Sequence, residues 1–106
     1  MLNIKEIGIE KKRLFCIDKN KGKYILSIIP KSSSDNGIIE LLLSAEVGEY
    51  KAEILAASVV GGDKLEVFEN KIKGINLHKS KVIKINVQLD FSDYCSMEVN
   101  MYENKK

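Results

Sequence analysis

Imidazoles and thiols, the side chains that most often serve as base, nucleophile or soft metal ligand near neutral pH, are few in this chain. Its 106 residues include one histidine, His78, and two cysteines, Cys16 and Cys95. Nucleophilic catalysis by a Ser-His-acid or Cys-His set needs an imidazole oriented by a third group. His78 lies in the short polar stretch Leu77-His78-Lys79-Ser80, where an exposed loop histidine is the ordinary reading. Cys16 and Cys95 have apolar neighbours, Phe15 and Ile17 for one and Tyr94 and Met97 for the other, the setting of inert core thiols. A disulfide between them would require adjacent strands and an exported domain. Two distant cysteines and one histidine do not make the four closely spaced ligands of a structural zinc site.

Three further motifs reduce to turns. Asp18-Lys19-Asn20-Lys21-Gly22 opens like a calcium loop, but Ile29 stands where the closing carboxylate belongs. Asp90 and Asp93 bracket a turn, a position that favours Asp for capping the backbone. Gly61-Gly62 has no third glycine and no following Gly-Lys-Ser/Thr, so it reads as a hairpin turn and not a phosphate cradle. Paired carboxylates for hydrolysis would need a deep cleft, which a chain of this size rarely forms. The expectation is therefore a non-enzyme with no catalytic, cofactor-binding or metal-binding residues and no cofactor.

The elements that would carry a surface function are strands. Turn signals recur at Glu10-Lys11-Lys12, Asp18 to Gly22, Pro30 to Gly37, Val47-Gly48-Glu49, Gly61-Gly62-Asp63, Glu69-Asn70, His78-Lys79-Ser80 and Asp90 to Asp93. Short β-branched runs between close turns point to an all-β fold. In Val82 to Asp90, Ile83, Ile85, Val87 and Leu89 alternate with Lys84, Asn86, Gln88 and Asp90, the period of a strand with one wet face. Cys95, Met97, Val99 and Met101 alternate likewise, so Val82 to Asp90 and Tyr94 to Tyr102 are expected to form an antiparallel hairpin, a central pair of the sheet. Lys64 to Phe68 repeats the pattern in miniature.

Arg13 to Asp18 and Tyr24 to Pro30 are apolar on both faces and read as interior strands. A tight hairpin joins them, Asn20 and Gly22 tolerating positive φ, and Pro30 ends the second strand. Ser32 to Gly37 reads as a polar loop, with a strand resuming from Ile38 to Ala45. Glu49 to Val60 is ambiguous. As a strand it sets Tyr50, Ala52, Ile54, Ala56 and Ser58 on one face and Lys51, Glu53, Leu55, Ala57 and Val59 on the other; as a helix it groups Tyr50, Ile54 and Ala57. The resulting expectation is a single domain over 1–106, a two-layer antiparallel β-sandwich of about seven to nine short strands. The alternative is an α+β fold with one helix near 49–60.

Composition bounds function from the other side. With 44% hydrophobic residues and a net charge of +2 the chain can bury a core. No apolar run is long enough for a membrane-spanning helix, the amino terminus lacks a secretion-signal pattern, and cytoplasmic location is the default. One arginine among 17 basic residues, with abundant Lys, Ile and Asn, suggests an AT-rich, bacterial-like composition. Residues 1–30 carry seven basic and three acidic groups, 31–70 three and eight, and 71–106 seven and four. If the termini pack together, Lys11, Lys12, Arg13, Lys19, Lys21 and Lys23 would join Lys71, Lys73, Lys79 and Lys81 on a basic side, with Glu46, Glu49, Glu53, Asp63, Glu66 and Glu69 on an acidic one.

A non-catalytic interaction or accessory module follows, a domain or subunit of a larger assembly with a protein partner, which a second copy could also be. A carbohydrate- or small-ligand-binding sandwich is the alternative, presenting Tyr50, Tyr94 or Tyr102 beside a groove. Nucleic-acid binding by a lysine-rich face comes next, disfavoured by a single arginine and few aromatics for base stacking.

Overall fold

The computed structural model describes residues 3–43, 52–89 and 96–105. Among the described residues nine strands are formed: β1 (Asn3–Arg13), β2 (Phe15–Asp18), β3 (Lys23–Ile28), β4 (Ser34–Leu43), β5 (Ala52–Val59), β6 (Lys64–Phe68), β7 (Lys71–Leu77), β8 (Ile83–Leu89) and β9 (Ser96–Lys105). One 3-10 turn, Lys19–Lys21, joins β2 to β3. No helix among the described residues is long and apolar enough to cross a membrane.

Every neighbouring pair is antiparallel, in the order β1-β9-β4-β7-β6-β5-β8-β3-β2. β1 pairs with β9, β3 with β8, β4 with β7 and β5 with β6. That is a long hairpin rolled upon itself, the strand order of a jelly roll. The sheet curls into a half-barrel. β1 is one edge strand and β2 the other, yet only buried Leu14 separates them in the chain. Inward residues of both halves share one core, led by Tyr24, Leu26, Ile39, Ile72, Ile85 and Met97. Burying each large apolar side chain contributes roughly 1.5–3 kcal/mol.

The all-β antiparallel class holds, and the strand at Ala52–Val59 removes the helical alternative there; Glu49 to Lys51 lie outside the described residues. The nine strands share one hydrogen-bonded sheet, continuous through the β6–β7 pair. Several expectations are corrected. β8 alternates as expected but does not pair with β9: β8 lies between β5 and β3, and β9 between β1 and β4. The connection, Asp90 to Cys95, lies outside the described residues.

In β5 the ladder shifts between Ile54 and Ala56, so Leu55 is an extra residue. This bulge flips the faces, and Ile54 and Ala57 are both buried although alternation puts them on opposite sides. Glu10-Lys11-Lys12 is strand, not turn, and β4 begins at Ser34 inside the expected loop. Gly37 there stands opposite Gly74, with the Leu77 side chain laid against both. A glycine needed for close approach carries the same sequence signature as a turn glycine. The turns at Gly61-Gly62 and Glu69-Asn70 do form, with φ of 74° at Gly61 and 56° at Glu69.

Candidate functional site

The single imidazole lies at the rim of two adjoining hollows. The larger, about 540 Å³, is lined by Asp63, Lys64, Glu66, Lys73, Asn76 and His78 among others. The smaller, about 330 Å³, holds Ser33, Ser34, Asp35 and Glu103, and shares Asn76 and His78. Asn76 has φ 57°, a left-handed conformation near the end of β7. It breaks the two-residue period, so Leu77 turns into the core while Asn76 and His78 stay exposed. Nδ1 of His78 accepts the Ser80 N–H at 3.2 Å and lies 2.7 Å from Ser80 Oγ. In that geometry Nδ1 serves as a hydrogen-bond acceptor for the turn. This Ser-His contact spans two residues of one exposed turn, closed by the Lys81 N–H on the His78 carbonyl. Among the described residues no carboxylate hydrogen-bonds His78 and no group of three His, Cys, Asp or Glu could hold a metal ion. Ser34 Oγ is buried beside the smaller hollow with no hydrogen-bond partner.

The Asp18 to Gly22 motif is a capped turn. Asp18 accepts the N–H groups of Asn20 and Lys21 at 3.1 and 3.3 Å, satisfying donors at the start of the 3-10 turn. Gly22, at φ 64°, closes it.

β2 overturns the reading of Arg13 to Asp18 as an interior strand. It bonds on one side only, to β3, and Phe15 is 74% and Ile17 54% exposed. Cys16 is an exposed free thiol and not a core residue, while Cys95 lies outside the described residues. The opposite edge is built differently. On β1, Glu10 and Lys12 stand opposite Val99 and Met97, so these charges sit on the core side of the edge. Glu10 lies 3.6 Å from Lys12 and 3.9 Å from Lys31. Inward charges of this kind block strand addition.

The expected basic side loses two members. Lys71 lies 3.9 Å from Glu40, and Lys73 stands opposite Glu66 on β6. Tyr102 is half-buried on β9 and lines neither hollow; Tyr50 and Tyr94 lie outside the described residues. Burial, then the charges of Glu40, Glu6 and Glu98, hold the Tyr102 phenol above its ordinary pKa. Beside it Asn100 is buried with its side-chain oxygen unpartnered.

Sequence reasoning missed both the exposure of β2 and the burial of Asn100. An apolar strand reads alike in a core and at a bare edge, and Asn100 occupies an ordinary polar position in an alternating strand. No protein-family model, curated protein or solved structure matches the chain.

Proposed function

We propose that the chain is a non-catalytic interaction module whose protein partner adds an extended strand to the free edge of β2. The contrast between the two sheet edges carries this reading: β1 is guarded by half-buried charges, whereas β2 presents Phe15 and Ile17 to solvent. Strand addition draws affinity from the open ladder and specificity from exposed side chains. The use of His78 Nδ1 within its own turn supports a role without catalysis. The same reading takes the halves β1-β9-β4-β7 and β6-β5-β8-β3-β2 as layers of a sandwich, supported by their common core.

The test is affinity capture with the wild-type chain and with Phe15→Lys, both checked for the β-sheet circular dichroism signal. A protein held by the wild type and lost from the variant is the expected result. An identical set on both baits would refute the β2 edge as the docking strand.

A second reading, a small polar ligand in the hollows around Asn76 and His78, is favoured by the unpartnered Ser34 Oγ. A glycan array without hits would remove its carbohydrate form.

A further inference from the structure

The outer face of β1-β9-β4-β7 gathers hydrogen-bond acceptors around a buried amide. Asn100 is 4% exposed and its Oδ1 has no partner. Its neighbours in the chain, Val99 and Met101, belong to the core, so alternation turns Asn100 outward. The ladders set Ile9 and Glu40 directly opposite it. Glu98 and Tyr102 flank it on the same face of β9, and Glu6 stands opposite Tyr102. A buried carbonyl without a donor is uncommon and asks for an explanation. The side chains directly opposite or flanking Asn100 on this face are Ile9, Glu40, Glu98 and Tyr102, and the lysines stand one position further out, Lys11 opposite Glu98 and Lys71 opposite Glu40. Glu6 and Glu98 form no ion pair among the described residues, even though Lys11 stands opposite Glu98. Glu40 has only the 3.9 Å contact with Lys71.

We propose that this patch binds the guanidinium of an arginine presented by an extended segment of a partner protein. A guanidinium carries five N–H donors in a planar fork, enough to serve Asn100 Oδ1 and a carboxylate together. The Tyr102 ring offers a surface on which the plane can stack. Ile9, 48% exposed, and Leu42, 40% exposed, offer apolar cover for the aliphatic stem. Lysine would bring a point charge without the fork. A metal ion is a poorer fit, since among the described residues no three acidic groups approach closely enough to hold one. The patch lies on the other half of the sheet from β2, so it stands or falls independently of strand addition there.

The experiment is an NMR titration of the whole chain with the peptide acetyl-Gly-Ala-Arg-Ala-Gly-amide. Its citrulline and lysine counterparts and free L-arginine form the comparison arms, at about 50 mM salt where surface charges are least screened. The arginine peptide should shift the Asn100 side-chain amide and the Tyr102 ring, with Kd in the millimolar range of a single anchored side chain. Binding should weaken about tenfold with citrulline and severalfold with lysine or in Glu98→Gln, as expected when a charge-assisted fork is lost. Phe15→Lys should bind the peptide as the wild type does. The proposal is overturned by an absence of shifts at about 10 mM peptide. It is equally overturned if citrulline or lysine binds as well as arginine, or if L-arginine binds as tightly as the peptide.

Discussion

Replacing Gly22 by alanine separates backbone strain from steric exclusion, because Gly61 supplies a matched control. Both glycines are left-handed, with φ of 64° and 74°. An L side chain there costs about 1–2 kcal/mol, and the smaller entropy of the unfolded alanine chain offsets about 0.4–1 kcal/mol at either site. The surroundings differ. A Cβ on Gly61 meets nothing within 4 Å, whereas one on Gly22 falls 2.2 Å from the carbonyl oxygen of Leu89. That oxygen belongs to β8 and cannot swing aside as a side-chain tip could, so the turn must move away. Moving it breaks the hydrogen bond from the Leu89 N–H to the Gly22 carbonyl, now 2.9 Å. Loss of the bond costs about 1 kcal/mol and displacement of the buried strand end about as much again. Gly22→Ala should therefore destabilise by about 2 kcal/mol more than Gly61→Ala. With a urea m-value near 1–1.5 kcal/mol/M for a domain of this size, the two midpoints should differ by more than about 1 M. Coincident midpoints with equal slopes would refute the claim that the Leu89 carbonyl dictates glycine at 22. Because the 3-10 turn and Gly22 set the β2–β3 ladder, Gly22→Ala should also weaken whatever docks on β2.

Three further outcomes are expected. The Gly37–Gly74 pair exists to admit Leu77, since a Cβ on either glycine would come within 2.4 Å of that side chain. Gly74→Ala should cost about 1–3 kcal/mol and Leu77→Ala about 2–5, with the double variant at least ~1 kcal/mol better than additive in urea melts; strict additivity would break the link. For Tyr102, burial and then Glu40, Glu6 and Glu98 favour the neutral phenol in the folded state. The native chain thus holds its proton above pH 10 where the unfolded chain loses it, and stability falls as pH rises past 10 toward the folded value. Absorbance titration near the tyrosinate band, wild type minus Tyr102→Phe, should show one phenol ionising above the usual range; ionisation at or below it would contradict the geometry. Finally, Phe15→Lys should leave unfolding free energy within about 0.5 kcal/mol, since Phe15 is 74% exposed. A loss much beyond ~1 kcal/mol would show that Phe15 serves the fold and is not held out for a partner.

What could be read from residues alone was what local periodicity encodes. Ile83, Ile85, Val87 and Leu89 are all buried and the residues between them exposed, because one face of that strand must be dry and a period of two is the only way to write it. Pairing is not local. β8 and β9 adjoin in sequence but pair with residues 24 to 102 positions away, in a topology that no turn motif announces. The bulge at Leu55 reverses the facing of β5 without any glycine or proline to mark it. Asn36-Gly37 shows the opposite failure, a strong turn dipeptide held inside a strand by packing against Leu77.

The β2 edge also sets a limit on its own partner. Lysine is abundant in this chain, and β1 uses it at its edge, yet Phe15-Cys16-Ile17-Asp18 contains none. Such an edge invites pairing unless something restrains it. Two restraints are present: β2 is only four residues long, and its ladder shifts between Cys16 and Asp18. A short, bulged edge can offer a partner few backbone hydrogen bonds, each a net gain of only about 0.5–1.5 kcal/mol. Recognition on β2 must then rest mainly on the exposed Phe15 and Ile17 side chains. The interface should fall in the small, transient class, below about 1,200 Å² in total. Phe15→Ala should accordingly weaken capture of the partner more than N-methylation of a β2 amide does, and the reverse ranking would make the backbone, not the side chains, the recognised feature.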